Sequence, residues 1–350
     1  MENYQSLKNK YGGFEAPAFW ITAGTEKLEE YPVLFCRMEI CLDPAEGSRG
    51  EVELAGCYDR TSRAIFPKLR KAVSPGTKIT VSLGYKSSGV QVFSGFIERV
   101  RAGVNGEKGF YLVLEIKDAI ELMKRSSHQR VYTVRSYEEA FEEVVKPYSG
   151  YCSAAVKKGE TAGREKFSLY QYGSDYDFIK NILEKDGTRG LEFCLDQKEA
   201  YFGPPKEGPV ILEAAPDEGI LEMELYEAYV NASIRTVGLT NEGTMAEAIE
   251  TVRGRNTAAG SFMWEETFAE GAVSQNEAAK AAEARMKKRA GEQRGGRILM
   301  TGIPEAKPGT CISIYDMDPN LDQVYEIISV CHRLDEKGFT TELTVRGKGI

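Results

Sequence analysis

The segment 168-SLYQYGSDYDFIKNILEKDGTRGLEFCLD-196 gathers four Asp, two Glu, three Tyr and three Gly into 29 residues. Such a density of carboxylates suits two-carboxylate cleavage of a glycosidic bond, with Asp175 or Asp177 paired to Glu192. The same residues also suit the start of a helix. Ser174 is a good N-cap, and Asp175 and Asp177 fall in a first turn, against the positive end of the helix dipole. Phe178, Ile179, Ile182 and Leu183 make one apolar stripe at helical spacing, with Lys185 in the last turn. Gly187 suits the left-handed position after the helix. The spacing therefore favours capping over catalysis, and no catalytic, cofactor-binding or metal-ligating residue is assigned.

Other chemistry is thinly supplied. The two histidines, His128 and His332, stand more than 200 positions apart. His128, in the polar run SSHQR, is expected to face water, and His332, in an alternating strand, to be structural. Neither has a motif partner for a Ser-His-Asp or Cys-His arrangement. Walker A and dinucleotide-binding fingerprints are absent. Cysteines at 36, 41, 57, 152, 194, 311 and 331 form no C-x-x-C pair and are odd in number. Thiols in a reducing compartment are expected rather than a disulfide framework.

The elements that would position these residues come from a chain of 350 residues, 42% hydrophobic and 28% charged. That length suits two or three domains and an ordinary core. The net charge of −8 argues against specific nucleic-acid binding. The densest basic run, Arg285 to Arg289, reads as a solvated helix face. The N-terminus lacks the apolar core of a signal peptide, and no run approaches the ~18–20 apolar residues of a membrane span. A cytoplasmic protein without a membrane anchor is expected.

Residues 1–16 read as a flexible N-terminal arm. From 33 to 118 short strands rich in β-branched and aromatic residues dominate: 33–42, 51–58, 78–85, 90–100 and 109–118. A short helix is read within 61–77. At 136–148 the period turns helical, with a Ser136/Glu139 capping box and a stop at Pro147. The hairpin 190–196/199–203 and a Pro/Gly junction at 203–209 follow. Residues 221–239 read as strand and 241–272 mostly as loop. A helix over 274–293 carries a Ser274/Glu277 capping box, and strands 297–303, 310–315, 324–334 and 339–347 close the chain.

Two parts of the β regions repeat. Pro75-Gly76-Thr77, Val92 and Gly109 match Pro308-Gly309-Thr310, Val324 and Gly338, at separations of 233, 232 and 229 positions. In each copy a Pro-Gly turn launches a strand, a second strand follows, and a Gly-Phe turn starts a third. The fold class expected is mainly β with an α+β insert: two similar antiparallel tube-type β-barrels flanking a small α/β domain. The boundaries expected are an arm at 1–16, a first barrel at 17–123, a middle domain at 124–208 and a second barrel at 209–350. Within the last, 241–293 is a helix/loop insertion packing on the middle domain. Three copies of such a chain supply six similar barrels.

With LGY at 83–85, VFSGFIERV at 92–100, Gln171, Ser174–Phe178, Gly187 and the closing PGT…VYEIISVCHRLDEKGFTTELTV, the chain resembles phage baseplate hub proteins. This is the late control D family, similar to the N-terminal hub region of type VI secretion spike proteins, and the likeness spans about 30–350. The resemblance implies a non-catalytic trimeric ring between the tail tube and the central spike. Tube or tube-initiator protein, spike and baseplate wedge proteins would be its partners. It also implies assembly in the cytoplasm and residence in the finished tail. The end at Ile350, directly after the last strand, favours a hub whose spike is a separate polypeptide. Strands near Val92–Val100 and Val324–Val330 are the candidate inter-subunit strands. The competing readings are a peptidoglycan-cleaving enzyme of the tail tip and a monomeric β-domain adaptor.

Overall fold

The computed structural model describes residues 2–31, 33–106, 108–157, 165–184, 191–206, 208–240, 242–254, 257–258, 260–272 and 274–348. Lys185 and Gly187, read above as a helix end, lie outside these residues. Among the described residues no helix is long and apolar enough to cross a membrane.

The chain opens with β1 (Glu2–Asn3) and α1 (Tyr4–Lys10). Next come β2 (Pro17–Ala23), β3 (Glu26–Lys27), β4 (Leu34–Leu42) and β5 (Arg49–Ala55). A small hairpin, β6 (Tyr58–Asp59) with β7 (Ala64–Ile65), precedes α2 (Pro67–Ala72). The first barrel is completed by β8 (Lys78–Tyr85), β9 (Ser88–Asn105) and β10 (Gly109–Lys117). Its strands run in the order β4-β5-β10-β9-β8-β2. Alternation explains the elements: in β8, Ile79, Val81 and Leu83 are buried while Lys78, Thr80 and Ser82 are exposed or half-buried.

A middle unit follows: α3 (Ala119–Arg125), β11 (Ser127–Val134), α4 (Tyr137–Val145), β12 (Ser153–Val156), β13 (Phe167–Ser174), α5 (Asp175–Phe178), β14 (Glu192–Asp196) and β15 (Glu199–Gly203). After α5 the chain continues as a π-helical stretch, Ile179–Leu183. Helix α4 buries Ala140, Phe141, Val144 and Val145, as its period requires. Ser136 Oγ accepts from Glu139 N, but the Glu139 carboxylate accepts from Arg135 N, so only half of the expected capping box forms.

The last part comprises β16 (Val210–Ala214), β17 (Ile220–Glu227), β18 (Asn231–Leu239), β19 (Met245–Arg253), β20 (Trp264–Ala272), α6 (Gln275–Gly291), β21 (Arg294–Thr301), β22 (Cys311–Ile314), β23 (Gln323–Asp335) and β24 (Gly338–Gly347). The second barrel takes the order β16-β22-β23-β24-β21-β17. Strand β4 of the first barrel pairs antiparallel with β23 of the second, so both share one sheet and one apolar core.

The repeat is written into the ladders. Gly76 N donates to Ile97 O at 2.7 Å, and Gly309 N to Ile327 O at 2.8 Å. Ile97 N donates to Thr77 O and Ile327 N to Thr310 O, again alike. Both copies carry a bulge after the isoleucine, between Ile97 and Arg99 in one and between Ile327 and Ser329 in the other. Both carry a second, between Phe35 and Arg37 and between Ile220 and Glu222. One anchor needs correction. Thr80 faces Ser94 as Ser313 faces Val324, so Ser94 and not Val92 is the equivalent of Val324. A slip of two residues leaves every side chain on its own face, which is why alternation alone cannot detect it.

Four further expectations are corrected. Residues 1–16 are no free arm: β1 pairs with β16, Leu7 and Tyr11 are buried, and the Tyr11 hydroxyl donates to Glu305. The run 221–239 is two strands, β17 and β18, in different sheets. Residues 241–272 hold strands β19 and β20, which flank β18 in a three-stranded sheet. Among the described residues this insertion packs α6 on its own sheet and touches β24 of the second barrel, with no comparable contact to the middle unit.

Candidate functional site

The acidic segment resolves into two separate settings. Ser174 caps α5, accepting from Asp177 N at 3.0 Å, while its hydroxyl donates to Asp177 Oδ2 at 2.6 Å. Asp175, 2% exposed, accepts from the Tyr148 hydroxyl at 2.5 Å and from Gln171 Nε2 at 2.7 Å. Gln171 Oε1 in turn accepts from the Tyr132 hydroxyl at 2.8 Å. Burial first, then the Asp175 bond, pushes the Tyr148 pKa up, so that hydroxyl stays a donor. His128 does not simply face water as expected: it is half-buried, with Nε2 3.7 Å from Asp175 Oδ2. The carboxylate thus ties β11, β13 and the turn after α4 together.

Glu192 belongs to another neighbourhood. Crowding by the surrounding chain, then the charges of Glu326 and Glu184, raise its pKa against the opposing pull of Arg346 and Lys180. None of the charged groups acting on Glu192 is a hydrogen-bond partner of Asp175 among the described residues. The structure does not bring the two-carboxylate constellation together as one set of shared partners.

The thiol expectation is corrected at one point. Cys41 and Cys331, directly opposed in β4 and β23, form a disulfide across the junction of the two barrels. Cys57, Cys152 and Cys311 are buried and outside any disulfide. Burial pushes the Cys152 thiol up to about 12 and the Cys194 thiol to about 11, which makes both poor nucleophiles at neutral pH. Spacing 290 positions apart carried no signal for the bridge. His332 is next to Cys331 and fully buried, opposite Ile40 of β4. Its Nδ1 lies 3.0 Å from Thr341 Oγ1, an oxygen that also accepts from Ile303 N. Burial holds the imidazole pKa down at about 4, and the ring is neutral.

The largest feature that the sequence reading missed is a surface. Eight strands in the order β9-β10-β5-β4-β23-β24-β21-β17 form one sheet whose inner face is core. Its outer face carries alternating acid and base. Arg101 meets Glu115 at 2.6 Å and Glu51 at 3.0 Å, and Arg37 meets Glu53 at 3.2 Å. Across the junction Arg333 bridges Glu39 at 3.0 Å and Glu342 at 2.8 Å, and Arg297 completes the row on Glu342 at 2.6 Å. Each exposed pair is worth little alone, about 0.2–1 kcal/mol. Together they make a hydrated face with charges locally neutralised. The signal was present as alternate charged residues in each strand, but pairing order was needed to align them.

Solved structures that share this fold include tail proteins. A tail protein of Neisseria meningitidis MC58 superposes with a TM-score of 0.70 at 14% identity, over 96% of this chain and 98% of its own. A 43 kDa tail protein of the prophage MuSo2 from Shewanella oneidensis gives 0.69 at 15% identity, over 95% and 99%. The c3393 protein of E. coli gives 0.58 at 13% identity, over 93% and 76%. It is described as a type VI secretion component similar to the phage T4 tail proteins gp27 and gp5. No curated protein matches the sequence. A family model described as the Alg8 N-terminal domain matches residues 68–205, well short of half the chain. That span starts inside α2 and omits β2, β4 and β5, so it cuts through the first barrel. The chain has the fold that these tail proteins share with a type VI secretion component.

Proposed function

We propose that the protein is the structural baseplate hub of a phage tail or phage-derived contractile injection machine. Three copies form a ring of pseudo-sixfold symmetry that joins the tail tube to the central spike. The observation that carries this reading is the duplication: two barrels of equal strand order, with matching bulges, merged into one sheet within one chain. A threefold arrangement of such chains offers six equivalent barrels to a sixfold tube and three equivalent chains to a spike. The balanced charged face suits a channel lining, since paired charges hold water and bind a passing polyanion weakly. The partners are other copies of the chain, the tube or tube-initiator protein, the spike and the baseplate wedge proteins, without membrane anchor or specific nucleic-acid contact. The protein assembles in the cytoplasm and stays in the finished particle. Asp175 and Glu192 serve structure in this reading, and the hub is not an enzyme.

Electron microscopy of the purified protein, alone and with its spike protein, tests the ring. Top views are expected to show threefold particles with six lobes around an open channel. Single compact particles under both conditions would sink the reading in favour of a monomeric adaptor.

A further inference from the structure

The junction of the two barrels gathers three side chains of metal-ligating type on one face of the sheet. Cys41 and Cys331 stand directly opposite each other in β4 and β23, with Cα atoms 4.1 Å apart. Glu39 lies two residues before Cys41, so alternation puts its carboxylate on the same face. Glu39 Oε1 is 3.8 Å from Cys41 Sγ. The two sulfurs and a carboxylate oxygen all lie within 4.8 Å of one another. Among the described residues no other three His, Cys, Asp or Glu side chains come together in this way. The cluster opens on a recess of about 340 Å³ in the charged face, whose lining includes Glu39, Cys41, Arg333 and Asp335.

In the oxidised form the two sulfurs are bonded to each other. The cysteine pattern predicts a reducing compartment, where small-molecule thiols open accessible disulfides. Both cysteines are half-buried and Cys41 lines the recess, so such a thiol reaches the bond. The exchange is balanced: the disulfide accepts two electrons and two protons from two small thiols, which leave joined as their own disulfide. A pair of thiols facing a carboxylate is left.

We propose that the reduced pair holds a zinc ion, with Cys41, Cys331 and Glu39 as protein ligands and water from the recess in the fourth position. Two thiolates and one carboxylate suit Zn²⁺, which favours sulfur and takes four ligands tetrahedrally. Zinc–sulfur bonds of about 2.3 Å in that geometry put the sulfurs about 3.8 Å apart, a separation that opposed side chains reach by changing rotamer. As the ion binds, the two thiols lose their protons to solvent and each sulfur gains a bond to the metal. Arg333 supports the arrangement. Its Nε donates to Glu39 Oε2 at 3.0 Å, which leaves Oε1, beside Cys41 Sγ, for the metal. A ligating carboxylate held by such a hydrogen bond is oriented toward its ion. The guanidinium also offsets the single negative charge that two thiolates, one carboxylate and Zn²⁺ leave. The seam between the barrels is then linked in either redox state, by zinc where thiols are kept reduced and by the disulfide where they are not. The site stands on the seam alone and does not depend on the ring reading.

Cobalt(II) serves as the probe, because tetrahedral thiolate ligation gives it visible and near-ultraviolet bands that zinc lacks. The full chain, reduced with a dithiol that is then removed without air, is expected to take up one Co²⁺ with those bands and to lose them when Zn²⁺ is added. The bands should be absent from the unreduced protein and from Cys331→Ser. Glu39→Gln should keep the thiolate band and bind roughly tenfold more weakly, about 1.4 kcal/mol. Alkylation of the unmodified reduced protein gives a check that needs no variant: Zn²⁺ should protect Cys41 and Cys331 from the reagent, as read by peptide mapping. A bridge that the dithiol cannot open in the folded chain overturns the proposal. So do bands that survive in Cys331→Ser, an unchanged affinity in Glu39→Gln, or alkylation of Cys41 and Cys331 that zinc does not slow.

Discussion

Asp175 ties two strands and a turn together, through two charge-assisted bonds, so its removal should be felt as lost stability. Asp175→Ala leaves the Tyr148 hydroxyl and the Gln171 amide buried without an acceptor. A loss of about 2–4 kcal/mol in urea unfolding is expected. Unchanged stability together with lost wall-lytic activity would return the carboxylate to catalysis. His332 carries a pH signature. An unfolded histidine takes its proton near 6.5 and this one only near 4, so the unfolded chain binds more protons between those values. Stability should fall as pH drops from about 6.5 to 4, by up to roughly 3 kcal/mol. Asp118 works the other way: burial raises its pKa to about 6, and the folded state gains from protonation over the same range. Comparing urea midpoints of the unmodified protein and His332→Leu at several pH values isolates the histidine. Equal slopes would show that the imidazole does not couple protonation to folding. The burial of His332 was legible from its alternating strand, while the approach of His128 to Asp175 was not, because a polar run such as SSHQR reads as solvent-facing.

At the scale of elements, the two copies share a constraint that only glycine meets. A Cβ on Gly296 would lie 2.0 Å from Glu224 O, and one on Gly50 would lie 2.7 Å from Glu39 O, the equivalent carbonyl. Gly296→Ala should therefore push β17 away from β21 and cost about 1–3 kcal/mol. Gly106→Ala, whose Cβ would meet nothing within 4 Å, should stay within about 0.5 kcal/mol. Thermal unfolding of both variants checks the contrast, and equal effects would mean that β17 yields without cost. Helices α4 and α6 were legible because caps and period agree with their packing. Strands β19 and β20 were not, because MAEAIETVR and WEETFAEGA are rich in Ala and Glu. Their pairing comes from β18 between them, with α6 covering one face. The break between β17 and β18 was hidden for a related reason. No Gly or Pro marks it, and the chain changes sheets where Ala228 N reaches Gln293 O.

For the whole molecule, the decisive structural fact is that two barrels share a core across the β4–β23 seam. The N-terminal helix reinforces that junction, with the Tyr11 ring tilted against Tyr85 of the first barrel and its hydroxyl bonded to Glu305 of the second region. The chain should therefore enter a ring as a rigid two-barrel unit, which is why six lobes around a threefold axis are the expected image. Alternation, turn residues and repeated anchors sufficed in the sequence for β4, β5, β8 to β10 and β21 to β24, the duplication and the capped helix at Ser174, since these depend on interactions a few residues apart. Tertiary structure alone decided which strand edges meet, how the repeat aligns to the residue, where Cys41 finds Cys331, and that the charged residues of eight strands form one face. Those features depend on pairing between positions up to 296 residues apart (Met38 with Leu334), and a period-two pattern tolerates several such pairings equally well.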